Sequence, residues 1–126
     1  MAVKMDRRHE LGRRGEDLAA DYLQSLGYKI IGRNVVNRIG EIDLVAEDGR
    51  TVVVAEVKTR GKNGRPPAEA VNFRKQRKLT LTAALFLQMK KWDNRPARFD
   101  VLEIICPPDG APIINHIKDA FEAVAY

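Results

Sequence analysis

The stretch Gly40-Glu41-Ile42-Asp43-Leu44-Val45-Ala46-Glu47-Asp48-Gly49-Arg50-Thr51-Val52-Val53-Val54-Ala55-Glu56-Val57-Lys58 reads as a β-hairpin. Its arms run near Glu41–Ala46 and Thr51–Lys58, with a turn expected at Asp48-Gly49. A two-residue loop there places Glu41 opposite Glu56 and Asp43 opposite Val54. Side chains alternate faces along a strand, so Glu41, Asp43, Glu56 and Lys58 project from one side of the sheet. Carboxylates crowded in this way destabilise a strand pair and resist joint ionisation. A divalent cation removes the conflict, and an oxygen-rich site suits Mg²⁺ or Mn²⁺, ions that assist phosphodiester hydrolysis. The second arm is otherwise a nearly continuous apolar run, the pattern of a central strand covered on both faces. Glu56 and Lys58 at the end of such a strand are costly unless paired, bound to metal or at an open rim.

The elements around the hairpin follow from periodicity. Residues from about His9 to Leu26 form an amphipathic helix whose stripe holds Leu11, Gly15, Leu18, Tyr22 and Leu26, and Gly27 is its C-terminal stop. At about 100° per residue Glu16 falls about 20° from Leu23, along the seam between helix and sheet. Tyr28 to Val36 has strand composition, with an interruption at Gly32-Arg33-Asn34. Thr59 to Pro67 is a basic, Gly- and Pro-rich loop. Helical periodicity returns from about Ala68 to Lys91, with Lys75 on its apolar face. Ala97 to Cys106 is a strand with Arg98 and Asp100 on one side and Phe99 and Val101 on the other. Pro112 to Ile117 is a last strand, followed by a short helical tail to Tyr126. The order α-β-β-β-α-β-β implies an α/β fold, a single mixed sheet flanked by helices, and one domain over residues 1–126.

Composition bounds the function. At 126 residues the chain can bury on the order of two-thirds of its unfolded surface. No run reaches the about 18 apolar residues of a membrane span, and no apolar signal core follows the basic N-terminus, so the cytoplasm is the expected compartment. The single cysteine, Cys106, excludes an internal disulfide framework. His9 and His116 have no ligand-type spacing with Cys106 and read as surface or rim residues, which argues against zinc. No phosphate-cradling Gly-Lys-Thr loop and no organic-cofactor motif is present. The net charge of +5 favours an anionic partner. Its cations fall into groups: Arg7, Arg8, Arg13 and Arg14; Lys62 and Arg65; Arg74, Lys75, Arg77 and Lys78. Two groups sit on the helices carrying Glu16 and Lys75, and the third follows Lys58, an arrangement suited to backbone recognition of DNA.

At these residues the sequence resembles the YraN-like family, a bacterial group of predicted endonucleases within the PD-(D/E)xK, restriction-endonuclease-like superfamily, similar to archaeal Holliday-junction resolvases. The markers are Gly12-x-x-Gly15-Glu16, Gly27-Tyr28, Arg33-Asn34, Gly40-Glu41-Ile42-Asp43-Leu44, Glu56-Val57-Lys58-Thr59-Arg60, Lys75-Gln76 and Arg98-Phe99-Asp100-Val101. One departure from the superfamily pattern is Ile42, which stands where proline precedes the acid. The resemblance implies a restriction-endonuclease-like fold and Mg²⁺- or Mn²⁺-dependent cleavage of DNA, branched or structured substrates included. It implies Asp43 and Glu56 as metal ligands, Lys58 beside the attacking water, and Glu16 completing the acidic site. Glu41, Lys75 and Gln76 are implied as auxiliary groups, with Arg13, Arg14, Arg60, Lys62, Arg65, Arg74 and Lys78 toward nucleic acid. A homodimer follows by analogy, because cutting two strands symmetrically takes two sites. The rival reading is a non-catalytic nucleic-acid-binding or partner-docking module on the same fold.

Overall fold

The computed structural model describes residues 7–60 and 72–123, with the side chains of residues 7–11 left aside. The elements are α1 (Arg7–Ser25), β1 (Lys29–Val36), β2 (Glu41–Asp48), β3 (Thr51–Arg60), α2 (Phe73–Met89), β4 (Ala97–Ile105) and β5 (Ile113–Phe121). The five strands form one sheet in sequence order. Neighbours are antiparallel except β3 and β4, which run parallel because α2 carries the chain back between them. The expected fold class, a single mixed sheet with helices, is the one observed.

As the apolar run required, β3 is central. Its alternate residues feed two cores. Val53 and Ala55 pack with Leu44, Ala46, Leu102 and Ile104 beneath Ala19, Ala20 and Leu23 of α1. Val52 and Val54 pack with Val45 and Phe99 beneath Leu79, Ala83 and Phe86 of α2. Helix α1 stops where its glycine predicts. Gly27 takes φ +88, its N–H donates to the Gln24 carbonyl at 2.9 Å, and the Tyr28 N–H donates to that of Leu23 at 3.0 Å. Helix α2 starts at Asn72, whose side chain accepts from the Lys75 N–H at 2.9 Å.

Three expectations are corrected. Asp48 pairs with Thr51, so the hairpin loop is Gly49-Arg50 rather than Asp48-Gly49, and Gly49 supplies the positive φ of +61. The register slips by two residues relative to the expected one: Val54 pairs with Val45 rather than Asp43, and Glu41 does not stand opposite Glu56. A slip by an even number keeps every side chain on its face, so the shared face of Asp43, Glu56 and Lys58 survives. The basic loop starts later than expected, because Thr59 and Arg60 pair with Ile104 and Ile105 of β4. The tail after Ile117 continues as strand to Phe121 instead of turning helical. There Asp119 takes φ +51, the pairing shifts between Phe99 and Val101, and Phe121 stacks on Phe99 at 4.8 Å between ring centroids. Pairing and ring packing outweigh the helical preference of that segment.

Candidate active site

The ladder between β2 and β3 ends at Leu44 and Ala55. Beyond that pair the Val57 N–H donates to Oδ2 of Asp43 at 2.8 Å, so a side chain takes a donor that a neighbouring strand would otherwise have used. The opening places Asp43 and Glu56 on a cleft of about 530 Å³ that also takes in Glu41, Lys75 and Lys78. The β1–β2 connection forms one wall, and α2 forms the other through Leu79 and Thr82. Gly40 belongs to the first wall for a steric reason. A Cβ there would lie 2.8 Å from Oγ1 of Thr82 and 3.2 Å from Cε of Lys78.

Charge is dense at this point. Oε1 of Glu56 lies 3.5 Å from the Lys58 ammonium and 3.4 Å from that of Lys75. Burial pushes the Asp43 carboxyl up to about 7, the Glu56 charge adds to the rise, and the Val57 N–H opposes it. Glu16 is close enough to raise it further, and Lys58 to lower it. Burial together with the neighbouring Lys75 holds the Lys58 ammonium below the ordinary lysine value. Burial pulls Lys75 down too, but hydrogen bonding with Lys58 and the charge of Glu56 leave it above that value.

Glu16 approaches from the other helix, near enough for its charge to act on Asp43, but it does not join Asp43 and Glu56 in the three-carboxylate group expected of it. A Cβ at Gly15 would collide with the Thr59 side chain, so α1 lies directly against the end of β3. Asn34 Nδ2 then donates to Oε2 of Glu16 at 3.2 Å. Asn34 sits inside β1 with φ +50, and its neighbour Arg33 pairs with Asp17. From sequence, Arg33-Asn34 reads as a family marker and part of a strand interruption, with no role at the site. The signal was present, since asparagine is depleted in strands and one kept there has a use outside the ladder.

The expected auxiliary groups divide. Lys75 touches Glu56, and Glu41 lines the cleft as an exposed residue at the start of β2. Gln76 lies in the first turn of α2 and is absent from the cleft lining, and its main-chain N–H donates to the Asn72 carbonyl at 2.9 Å. Of the basic residues, Lys78 lines the cleft, Arg74 is exposed on α2, and Arg13 and Arg14 are exposed on α1. Arg60 is half-buried at the end of β3. Lys62 and Arg65 lie outside the described residues.

His116 is the clearest miss. It is no rim residue: its side chain is 6% exposed. Nε2 lies 2.7 Å from Oδ2 of Asp100, and Nδ1 lies 3.2 Å from the Tyr22 hydroxyl. Arg98 completes this network by donating to Asp100, to Asp48 at 3.0 Å and to the Tyr28 hydroxyl at 2.7 Å. The network lies on the α1 face, as the alternation of Asp100 with Leu102 and Ile104 dictates. No sequence spacing announces it.

Among the described residues no group of three or more His, Cys, Asp or Glu side chains stands close enough to hold a metal ion. The donor chemistry fits a hard divalent cation at the Asp43–Glu56 pair nonetheless. Asp43 is a half-buried carboxylate whose ionised form is disfavoured by desolvation and by the charge of Glu56, two penalties that a cation would relieve. No described helix is long and apolar enough to cross a membrane.

The model of an uncharacterised protein family, UPF0102, matches residues 15–104, from the glycine against Thr59 to the end of the β4 core. The chain is 47% identical over 114 residues to a UPF0102 protein of Symbiobacterium thermophilum, covering 90% of this chain and 97% of that one. It is 50% identical over 113 residues to one of Geobacter sulfurreducens, covering 89% and 88%. It is 45% identical over 118 residues to one of Pseudomonas syringae, covering 92% and 96%.

Proposed function

The chain belongs to the uncharacterised protein family UPF0102, and from the sequence resemblance at its Glu16, Asp43 and Glu56-Val57-Lys58 markers and the cleft at Asp43 we propose that it is a metal-dependent DNA endonuclease of the PD-(D/E)xK kind. The supporting observation is the underserved Asp43 carboxylate at the split between β2 and β3, with Glu56 and Lys58 beside it. Asp43 and Glu56 would hold Mg²⁺ or Mn²⁺. Such an ion, when bound, supplies Lewis-acid polarisation of a phosphodiester and eases ionisation of the attacking water. The remaining work falls to this chain's own side chains. The amine of Lys58, whose hold on its proton burial weakens, stands at Glu56 to orient that water or to meet charge building on the phosphate. Glu16, held by Asn34, adds negative charge on the α1 side of the opening. Arg13 and Arg14 on one helix and Arg74 and Lys78 on the other suit contacts to the DNA backbone on either side, which position a duplex without reading its sequence.

A second reading, a binding module without turnover, is favoured by one observation. Glu56 already has two ammonium groups, from Lys58 and Lys75, so its charge is answered without a metal. A cleavage panel separates the two. Linear, nicked and four-way DNA are incubated with Mg²⁺, with Mn²⁺ and with chelator, for the wild type and for Asp43→Asn. The nuclease reading requires metal-dependent cleavage that falls at least about 100-fold in Asp43→Asn while DNA affinity is kept. Salt-dependent binding with no cut on any substrate establishes the module.

A further inference from the structure

Glu103 on β4 is only 4% exposed, and its Oε2 is buried with no hydrogen-bond partner. A buried carboxylate oxygen left unpaired is among the costlier features a core can carry. The parallel register sets Glu103 directly opposite Lys58. Side chains opposed in this way share a face, with strands about 4.8 Å apart, well within the reach of a lysine. On the other flank Glu103 pairs with Asn115 of β5. The charges are unevenly shared on this patch. One oxygen of Glu56 faces two ammonium groups, while Oε2 of Glu103 faces none.

We propose that Glu103 is a positioning residue for Lys58, a second carboxylate between which and Glu56 the Lys58 ammonium is shared. With Lys58 turned to Glu103, Lys75 alone serves Glu56, and each carboxylate has one cation. With Lys58 turned to Glu56, the amine stands beside the Asp43 carboxylate. Glu103 thus fixes the rear limit of the lysine's swing and keeps it on the cleft side of β3. Arg60, two residues on along the same face, also has a buried Nε without a partner. It is the competitor for Glu103, and it lies diagonally rather than directly opposite. The positioning of the lysine stands by itself, and only its effect on turnover rests on the nuclease reading.

The test compares wild type, Glu103→Gln and Glu103→Asp by two readouts. The first is the side-chain ammonium resonance of Lys58 in ¹⁵N-lysine NMR, assigned by its disappearance in Lys58→Met. Glu103→Gln is expected to move that resonance and leave that of exposed Lys29 in place. Glu103→Asp keeps the charge and restores part of the shift. The second readout is cleavage, where Glu103→Gln lowers kcat about tenfold or more with KM unchanged, partly rescued by Glu103→Asp. A folded Glu103→Gln with the Lys58 resonance unmoved overturns the proposal, including the case in which Glu103 serves Arg60. If Glu103→Gln does not fold, an unmoved Lys58 resonance in Glu103→Asp overturns it instead. A wild type that cleaves nothing removes the nuclease reading and leaves the resonance to decide Glu103.

Discussion

Asp43 and Asp100 are both aspartates withdrawn into the same sheet, one on each face, and they are treated in opposite ways. Asp100, fully buried, accepts from Arg98 Nε at 3.0 Å, from Arg98 Nη2 at 3.2 Å and from the Asp119 N–H at 3.0 Å, and it lies 2.7 Å from His116 Nε2. Burial alone would raise its pKa, but Arg98, His116 and the Asp119 N–H hold it below the usual aspartate value. Asp43 has the Val57 N–H and a neighbouring carboxylate, and its pKa rises to about 7. One acid is saturated with donors, as a structural ion in a closed network must be. The other is left short of donors at an open cleft, which is the observation behind the proposed cation site.

The contrast breaks first on stability. Asp100→Ala strands Arg98 and His116 without their carboxylate, and losing one partner of a buried ion pair costs about 3–5 kcal/mol. Chemical denaturation should show a loss of that size. A loss under about 1 kcal/mol would mean that Asp100 is no keystone of the α1 face. Asp43→Asn should leave stability unchanged or raised at neutral pH without metal, because it removes a charge that burial disfavours.

The pH dependences should differ in sign. The folded pKa of Asp43 lies above its unfolded value, so ionising it costs the folded state. Its contribution to stability therefore falls as pH rises from about 4 toward 7, and Asp43→Asn should flatten that slope. The folded pKa of Asp100 lies below the unfolded value. Its contribution is present above the usual aspartate pKa and is lost as pH falls through the lower folded one. Unfolding free energies measured from pH 3 to 8 check both. Identical slopes in wild type and Asp43→Asn would refute the assignment of the raised group.

How much of this was legible follows from sequence distance. The hairpin and the shared face of Asp43, Glu56 and Lys58 rest on period-two alternation and a glycine in the turn, which are local signals. The register did not, because Asp48-Gly49 and Gly49-Arg50 are both acceptable loops in sequence and only packing decides. Glu16 was placed on the helix–sheet seam by helical periodicity alone. His116 and Glu103 were unreadable for another reason. Tyr22 and His116 are 94 residues apart, and Glu103 meets Lys58 only through the parallel pairing that follows α2. Composition carries no record of such contacts. The helical tail failed because its periodicity was a weaker influence than pairing with β4 and the stacking of Phe121 on Phe99.

Two smaller effects sharpen the comparison by separating scaffold from site. Gly15→Ala forces a Cβ into the Thr59 side chain and pushes α1 off β3, which should cost about 1–3 kcal/mol. Full stability in that variant would show that the helix does not sit as tightly as Glu16 requires. Asn34→Gly keeps the positive φ available and deletes the side chain that holds Glu16. Stability should move by less than about 1 kcal/mol, while cleavage falls severalfold. An equal loss of both would assign Asn34 to the fold alone.

The difference between the two acids is tested most directly by titrating Mn²⁺ calorimetrically into wild type, Asp43→Asn, Glu56→Gln and Asp100→Asn. The expected result is saturable binding in the wild type that is lost in the first two variants and kept in folded Asp100→Asn. Binding of equal strength in wild type and Asp43→Asn, or none in the wild type, would contradict it.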